Sequence, residues 1–190
     1  VQALAKIPTE KYLTERVDFA TFSSHKFHGV RGVGFVYIKS GKKITPLLTG
    51  GGQERDYRST TENVAGIAAT AKALRLSMEK LDIFRSKTGQ MKAVIRQALL
   101  DYPDIFIFSD EEDFAPHILT FGIKGVRGEV IVHAFEDYDI FISTTSACSS
   151  KAGKPAGTLI TMGVDKDKAQ SAVRLSLDLE NDMSQVEQFL

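Results

Sequence analysis

Thr21-Phe22-Ser23-Ser24-His25-Lys26-Phe27-His28-Gly29 is the stretch on which the reading of the whole chain turns. It joins two apolar segments. Residues 17–22 have the mixed apolar character of a buried strand. Gly34-Phe35-Val36-Tyr37-Ile38 is β-branched and aromatic, and Ser40-Gly41 closes it as a second strand. Between them, residues 23–34 hold two serines, two histidines, one lysine and three glycines, a composition that suggests a loop built to hold something. Lys26 alone reads as a solvated surface charge. Held between two apolar strands, a lysine can instead lose its proton, because desolvation and neighbouring cations disfavour the ammonium. A neutral amine can form a Schiff base with a carbonyl, and hydroxyl and imidazole donors beside it suit a phosphate.

Downstream, Gly50-Gly51-Gly52 leads into Gln53-Glu54-Arg55-Asp56 and Arg58-Ser59-Thr60-Thr61. The glycines fit neither the Walker A spacing nor a dinucleotide fingerprint, so a flexible turn and an anion-binding loop both stand. Residues 58–61 read as the opening of a helix. There, hydroxyls at a helix N-terminus form a natural phosphate site, or Thr60 or Thr61 is a plain N-cap. From Val64 the pattern is helical, with Ile67, Leu74, Met78, Leu81 and Ile83 near one face and Gly89 as a point of interruption. Tyr102-Pro103-Asp104 ends the helical pattern.

Beyond Pro103 short strands and helices alternate: strands over 105–109, 117–123, 141–145 and 172–177, helical segments over 129–136 and 158–162. Ser184 reads as the N-cap of a last helix. Arg174 lies in Ala172-Val173-Arg174-Leu175-Ser176-Leu177, where alternation puts Val173, Leu175 and Leu177 on one face and Arg174 and Ser176 on the other. It reads either as an arginine on the wet face of a sheet or as a bidentate clamp for a substrate carboxylate. Cys148 follows a strand in a small, polar loop with Lys151 and Lys154 nearby. A lone cysteine is ordinarily a small buried hydrophobe, while lysines near an exposed one favour the thiolate and make it a nucleophile. His117 and His133 read as satisfied strand and helix residues. Glu111-Glu112-Asp113 reads as a solvated turn, and residues 165–168 as the charged start of a helix.

Composition narrows the function classes. The 190 residues hold 24 basic and 24 acidic side chains, 43% apolar residues and one cysteine. One cysteine excludes an intramolecular disulfide and a four-cysteine zinc or iron–sulfur site, and no metal ligand set stands out. Zero net charge leaves no basic excess for a generic nucleic-acid binder. No apolar run approaches the ~20 residues of a membrane span. The expectation is a globular cytoplasmic protein with no membrane partner and no direct nucleic-acid contact.

Four motifs together resemble the cysteine desulfurase family, pyridoxal-phosphate enzymes of the class V aminotransferase group. They are Phe22-Ser23-Ser24-His25-Lys26-x-x-Gly29, Gly50-Gly51-Gly52-Gln53-Glu54-Arg55 with Arg58-Ser59-x-Thr61, Ser146-Ala147-Cys148-Ser149-Ser150, and Val173-Arg174-Leu175-Ser176. The resemblance implies an α/β fold, the C-terminal part of a fold-type I transferase. Residues 1–75 would end the large-domain sheet, and 76–190 would form a small α+β domain with its last helix cut short. It implies that Lys26 is the lysine bonded to pyridoxal 5'-phosphate, with Ser23 and His25 on the phosphate. Thr61 would reach a phosphate across a homodimer interface, and Gln2 would face the cofactor's phenolic oxygen. Cys148 would take the substrate sulfur as a persulfide, and Arg174 would grip the carboxylate of L-cysteine. The implied partner is a sulfur-acceptor protein, an iron–sulfur scaffold or a tRNA-thiolation enzyme.

Two motifs depart from the family. Gly29-Val30-Arg31-Gly32 replaces Gly-Pro-Lys-Gly, and Arg58-Ser59-Thr60-Thr61 has lost the glycine of Arg-Ser-Gly-Thr. Val1-Gln2 is similar to the end of the family's Asp-Ala-x-Gln motif, with the aspartate that pairs with the pyridine nitrogen upstream. The expectation is therefore a C-terminal half, inactive alone. A selenocysteine lyase or related class V enzyme, and a non-catalytic dimerisation or acceptor-binding fragment, are the other functions carried forward.

Overall fold

The computed structural model describes residues 2–109, 114–144 and 157–190. The chain forms two compact units, Val1–Asp82 and Ile83–Leu190.

In the first unit, β1 (Phe19–Ser23) and β2 (Gly34–Ile38) pair antiparallel, in register from Phe19↔Ile38 to Ser23↔Gly34. A 3-10 turn, Ser24–Phe27, follows β1 directly and ends at His28, whose φ of 63° places it in the left-handed region. Helix α1 (Val64–Glu79) is capped by Asn63, whose side chain accepts from the Gly66 amide at 3.0 Å. Thr60 and Thr61 therefore precede the cap, and the expectation that one of them opens the helix is corrected. The short amide side chain of Asn63 reaches an otherwise orphaned helical N–H.

Leu4, Ala5, Phe22 and Phe27 form the core of this unit, with Ala73 and Leu74 of α1 packed against them. Phe22 stacks on Phe35 at 4.9 Å between ring centroids. The apolar face read from periodicity packs only in part: Leu74 lies against the core, while Ile67 and Met78 are exposed. Beside Leu74 the inward stripe is small or polar: Gly66, Thr70, Ala73 and Ser77, spaced with it as one face of a helix. Nor does Gly89 interrupt the helical run. The break falls at Lys80, and α2 (Leu81–Leu100) passes straight through Gly89. Nothing in the local sequence explains a break at Lys80.

The second unit is built on a four-stranded antiparallel sheet in the order β3-β4-β6-β5, comprising Ile105–Ile107, Ile118–Ile123, Val173–Ser176 and Ser143–Thr144. Met91, Ile95 and Leu99 of α2 pack with Leu119 and Phe121 of β4 and Val173 and Leu175 of β6. Ile131 of α3 (Gly128–Glu136) and Val186 of α6 (Met183–Phe189) complete that core. Burying each such side chain stabilises the unit by roughly 1.5–3 kcal/mol. Two short helices, α4 (Gly157–Thr161) and α5 (Lys166–Gln170), enclose a smaller cluster of Leu159, Ala169 and Ala172.

The N-cap of α6 is Asp182, not Ser184. Its carboxylate accepts from the Ser184 and Gln185 amides, and Gln185 Oε1 accepts from the Asp182 amide, closing a capping box. An aspartate two residues upstream does the work assigned to the serine. Among the described residues no helix is long and apolar enough to cross a membrane.

Candidate active site

The first unit's site is the turn that carries Lys26. Its backbone is tied at the Ser24 end: the Ser24 amide donates to Val33 O at 3.0 Å, and the Gly29 amide donates to Ser24 O at 3.0 Å. The Ser77 hydroxyl of α1 donates to Phe27 O at 3.2 Å. Ser24 is fully buried, and its Oγ lies 3.0 Å from Thr70 Oγ1, which is also 2.8 Å from Gly66 O. Gly29 is needed for the close approach, because a Cβ there would fall 1.9 Å from Ser24 Oγ.

The candidate side chains on the same turn are not engaged in this scaffold. Ser23 flanks the turn without making a side-chain cap, His25 is exposed, and Lys26 is half-buried. Among the described residues none of the three side chains has an internal hydrogen bond. The donor set is thus a hydroxyl, an imidazole and an amine on four successive residues, held in place by the backbone and by other side chains. That set fits a phosphorylated aldehyde: hydroxyl and imidazole suit a phosphate, and a primary amine suits the carbonyl.

The glycine-rich segment leads into a left-handed run. Gly52 has φ 82°, and Glu54, Arg55 and Asp56 follow at 52°, 57° and 67°, three consecutive non-glycine residues in the left-handed region. Such a run costs roughly 1–2 kcal/mol per residue. The Asp56 amide donates to Gly52 O and the Tyr57 amide to Glu54 O, both at 3.1 Å. The chain then returns through the Ser59 amide, which donates to Leu48 O at 3.1 Å, and Thr61 lies exposed beyond it. Gln2 is exposed as well.

In the second unit, Arg174 sits centrally on β6, opposite Thr120 of β4 and Ser143 of β5. Val173 and Leu175 are buried, Arg174 is half-buried and Ser176 is exposed, as alternation requires. The Nε of Arg174 is buried and has no hydrogen-bond partner among the described residues. A buried guanidinium N–H without an acceptor is costly. Ser143 and Thr144 mark the sheet end of the segment leading to Cys148, which itself lies outside the described residues, as do residues 111–113. His117 is buried on the edge of β4, with its ring 5.2 Å from that of Phe84, and His133 bonds Glu136 on the exposed face of α3. No group of three metal-ligating side chains is placed to hold an ion among the described residues.

Sequence reasoning missed Thr70 and Ser77. The available signal was their spacing: seven residues apart on a helix means two turns apart on one face. The apolar pattern drew attention to the adjacent face, which shares Leu74 with it.

Residues 1–189 match the family described as Aminotransferase class-V. A NifS/IcsS protein homolog of Lactobacillus delbrueckii subsp. bulgaricus is 49% identical over 191 residues, covering all of this chain and 50% of the relative. A cysteine desulfurase IscS of Clostridium botulinum is 36% identical over 168 residues, 87% of this chain and 42% of its own. Among solved structures, a NifS-like protein aligns with a TM-score of 0.84 at 35% identity over all of this chain and 48% of that one. A NifS-like protein of Rickettsia africae aligns at 0.83 and 30% identity, over 100% and 49%. The chain thus spans about half the length of the curated relatives it matches.

Proposed function

The chain belongs to the Aminotransferase class-V family, and from that membership we propose that the whole protein is a pyridoxal-phosphate-dependent cysteine desulfurase. The supporting observation is the lysine turn, where Ser23, His25 and Lys26 have uncommitted side chains while hydrogen bonds at Ser24 and Phe27 hold the two ends of the turn. The cysteine desulfurase names borne by its relatives support the choice of reaction.

In this reading Lys26 carries the cofactor, and Ser23 and His25 hold its phosphate. Gln2 faces its phenolic oxygen, and Thr61 contributes across a homodimer interface. When bound, the cofactor supplies an electron sink for the substrate's Cα–H and C–S bonds. Arg174 orients L-cysteine by its carboxylate through paired N–H donors. Lys26 Nζ accepts the α-proton and later returns one to the product. The Cys148 thiolate attacks the substrate sulfur; the S–S bond forms as the C–S bond breaks, leaving alanine and a Cys148 persulfide. The terminal sulfur then passes to an acceptor protein serving iron–sulfur assembly or tRNA thiolation.

The test is turnover of L-cysteine by the whole protein with pyridoxal phosphate, followed by borohydride trapping and peptide mass spectrometry. A pyridoxyl adduct on Lys26 and a persulfide on Cys148 are expected. An adduct elsewhere, or alanine release that survives Cys148→Ala without loss, sinks the assignment; the latter outcome favours a lyase that needs no persulfide.

A further inference from the structure

We infer that Thr70 is a positioning residue for Lys26: its hydroxyl, through Ser24, fixes the turn that carries the amine against helix α1. The inference rests on the reading of Lys26 as the cofactor lysine. Lys26 is the third residue of a four-residue 3-10 turn, so its Cα is located only by what holds the two ends. At the far end Phe27 is almost wholly buried, and its carbonyl accepts from Ser77. At the near end the only side chain within hydrogen-bond distance of Ser24 Oγ, among the described residues, is Thr70.

Thr70 Oγ1 faces two oxygens, Ser24 Oγ at 3.0 Å and Gly66 O at 2.8 Å. Its single proton serves one of them at a time, so the Ser24 hydroxyl must complete the pair. Both side chains are buried, Ser24 completely and Thr70 to 7% exposure, so water does not substitute. Thr70 cannot easily withdraw either. One turn earlier, a Cβ on Gly66 would fall 2.7 Å from Val33 Cγ2, which shows how closely α1 lies on the loop that returns to β2. Thr70 and Ser77 therefore act as two pins, two helical turns apart, one at each end of the lysine turn. Remove the first, and the buried Ser24 hydroxyl loses its partner; the turn relieves this only by moving. Displacement of a reacting group by about 1 Å costs about a hundredfold in rate, so a partial shift is expected to cost about tenfold.

The decisive comparison is Thr70→Val against Thr70→Ser in the whole protein. Thr70→Val keeps the shape and removes the hydroxyl; Thr70→Ser keeps the hydroxyl. With pyridoxal phosphate bound, Thr70→Val should lower kcat for alanine release about tenfold with KM little changed. It should also displace the pH midpoint of the lysine-bound cofactor's absorption band, which a loss of stability alone does not move. Thr70→Ser should remain within about threefold of the parent. Without cofactor, Thr70→Val should speed hydrogen exchange at the Ser24 and Gly29 amides. If Thr70→Val folds poorly, Ser24→Ala removes the same bond from the other side and should reproduce the effect. Parental kcat and exchange in these variants would overturn the inference. So would equal impairment of Thr70→Val and Thr70→Ser, which assigns the effect to packing. If the parent takes up no cofactor on Lys26, the functional reading fails by itself. The exchange arm then decides the tie: unchanged Ser24 and Gly29 amides overturn it, and faster ones uphold it.

Discussion

Replacing Gly29 by alanine adds one methyl group at the tightest point of the lysine turn. The new Cβ would stand 1.9 Å from Ser24 Oγ, 3.0 Å from Ser24 O and 3.1 Å from Ser24 Cβ. Three neighbours on one residue leave it no direction in which to yield. The Ser24 side chain is fully buried and bonded to Thr70, and its carbonyl accepts the Gly29 amide itself. Two costs follow. Forcing a methyl into a filled site costs about 1–3 kcal/mol. Swinging Ser24 Oγ away leaves a buried hydroxyl unpaired, at about 1 kcal/mol or more. The sum is about 2–4 kcal/mol, read by urea denaturation as a shift in midpoint at constant slope. Adding Ser24→Ala removes the atom at 1.9 Å, so the double variant should recover part of the loss although each single change is destabilising. A Gly29→Ala loss under about 1 kcal/mol refutes the steric argument. A double variant whose loss equals the sum of the singles refutes the assignment of the clash to Ser24 Oγ.

On the proposed reading of Arg174 as the carboxylate clamp, Arg174→Gln should raise KM for L-cysteine about 10- to 100-fold, and since its buried Nε has no partner among the described residues the melting temperature should change little; unaltered steady-state kinetics in the whole protein rule out the clamp. Leu119→Ala empties a position with no solvent exposure at the centre of the second unit's core and should cost about 2–5 kcal/mol, measured by denaturation. Asp182 supports α6 in a pH-dependent way. The Ser184 hydroxyl and the Gln185 amide hold its carboxyl below the usual carboxylate range. A depressed folded-state value means that the stabilisation is complete above the unfolded carboxylate range and fades as pH falls through the folded value. Protection of the Ser184 and Gln185 amides, taken relative to intrinsic exchange at each pH, should therefore be highest near neutrality and fall in acid, and Asp182→Ala should abolish that pH dependence of protection.

The strands were legible because each carries its own pattern. β2 reads from Gly34 to Ile38 in both sequence and structure, and the alternation around Arg174 placed that side chain on the correct face. Those patterns depend on nearest neighbours along one strand. The helices were less legible. In α1 an apolar stripe through Ile67, Leu74 and Met78 met the usual expectation, yet only Leu74 of these packs, and the face beside it carries Gly66, Thr70 and Ser77. What decided this was the neighbour: a turn with buried polar groups, which no single helix sequence reveals. The same limit applied to Glu54, Arg55 and Asp56, since nothing in those residue types announces a left-handed run. Asp182 was legible in principle, as an aspartate three residues before a glutamine, but Ser184 sits inside the same window and competes for the role.

The polar face of α1 follows from what the lysine turn exposes to it. A 3-10 turn of four residues satisfies few of its own backbone groups, and burial of Ser24 and Phe27 removes water as an alternative. An apolar stripe at positions 70 and 77 would bury more hydrocarbon but leave Phe27 O and Ser24 Oγ without partners. Each unpaired group costs about 1–3 kcal/mol, comparable to the gain from burying one more aliphatic side chain. Stability alone is therefore close to indifferent between the two faces. Geometry is not: hydroxyls fix direction and distance at both ends of the turn, whereas apolar contacts are non-directional. A chain that requires one amine at one position has reason to take the polar solution. Ser23, His25 and Lys26 can then stay free for a ligand because other residues hold the turn.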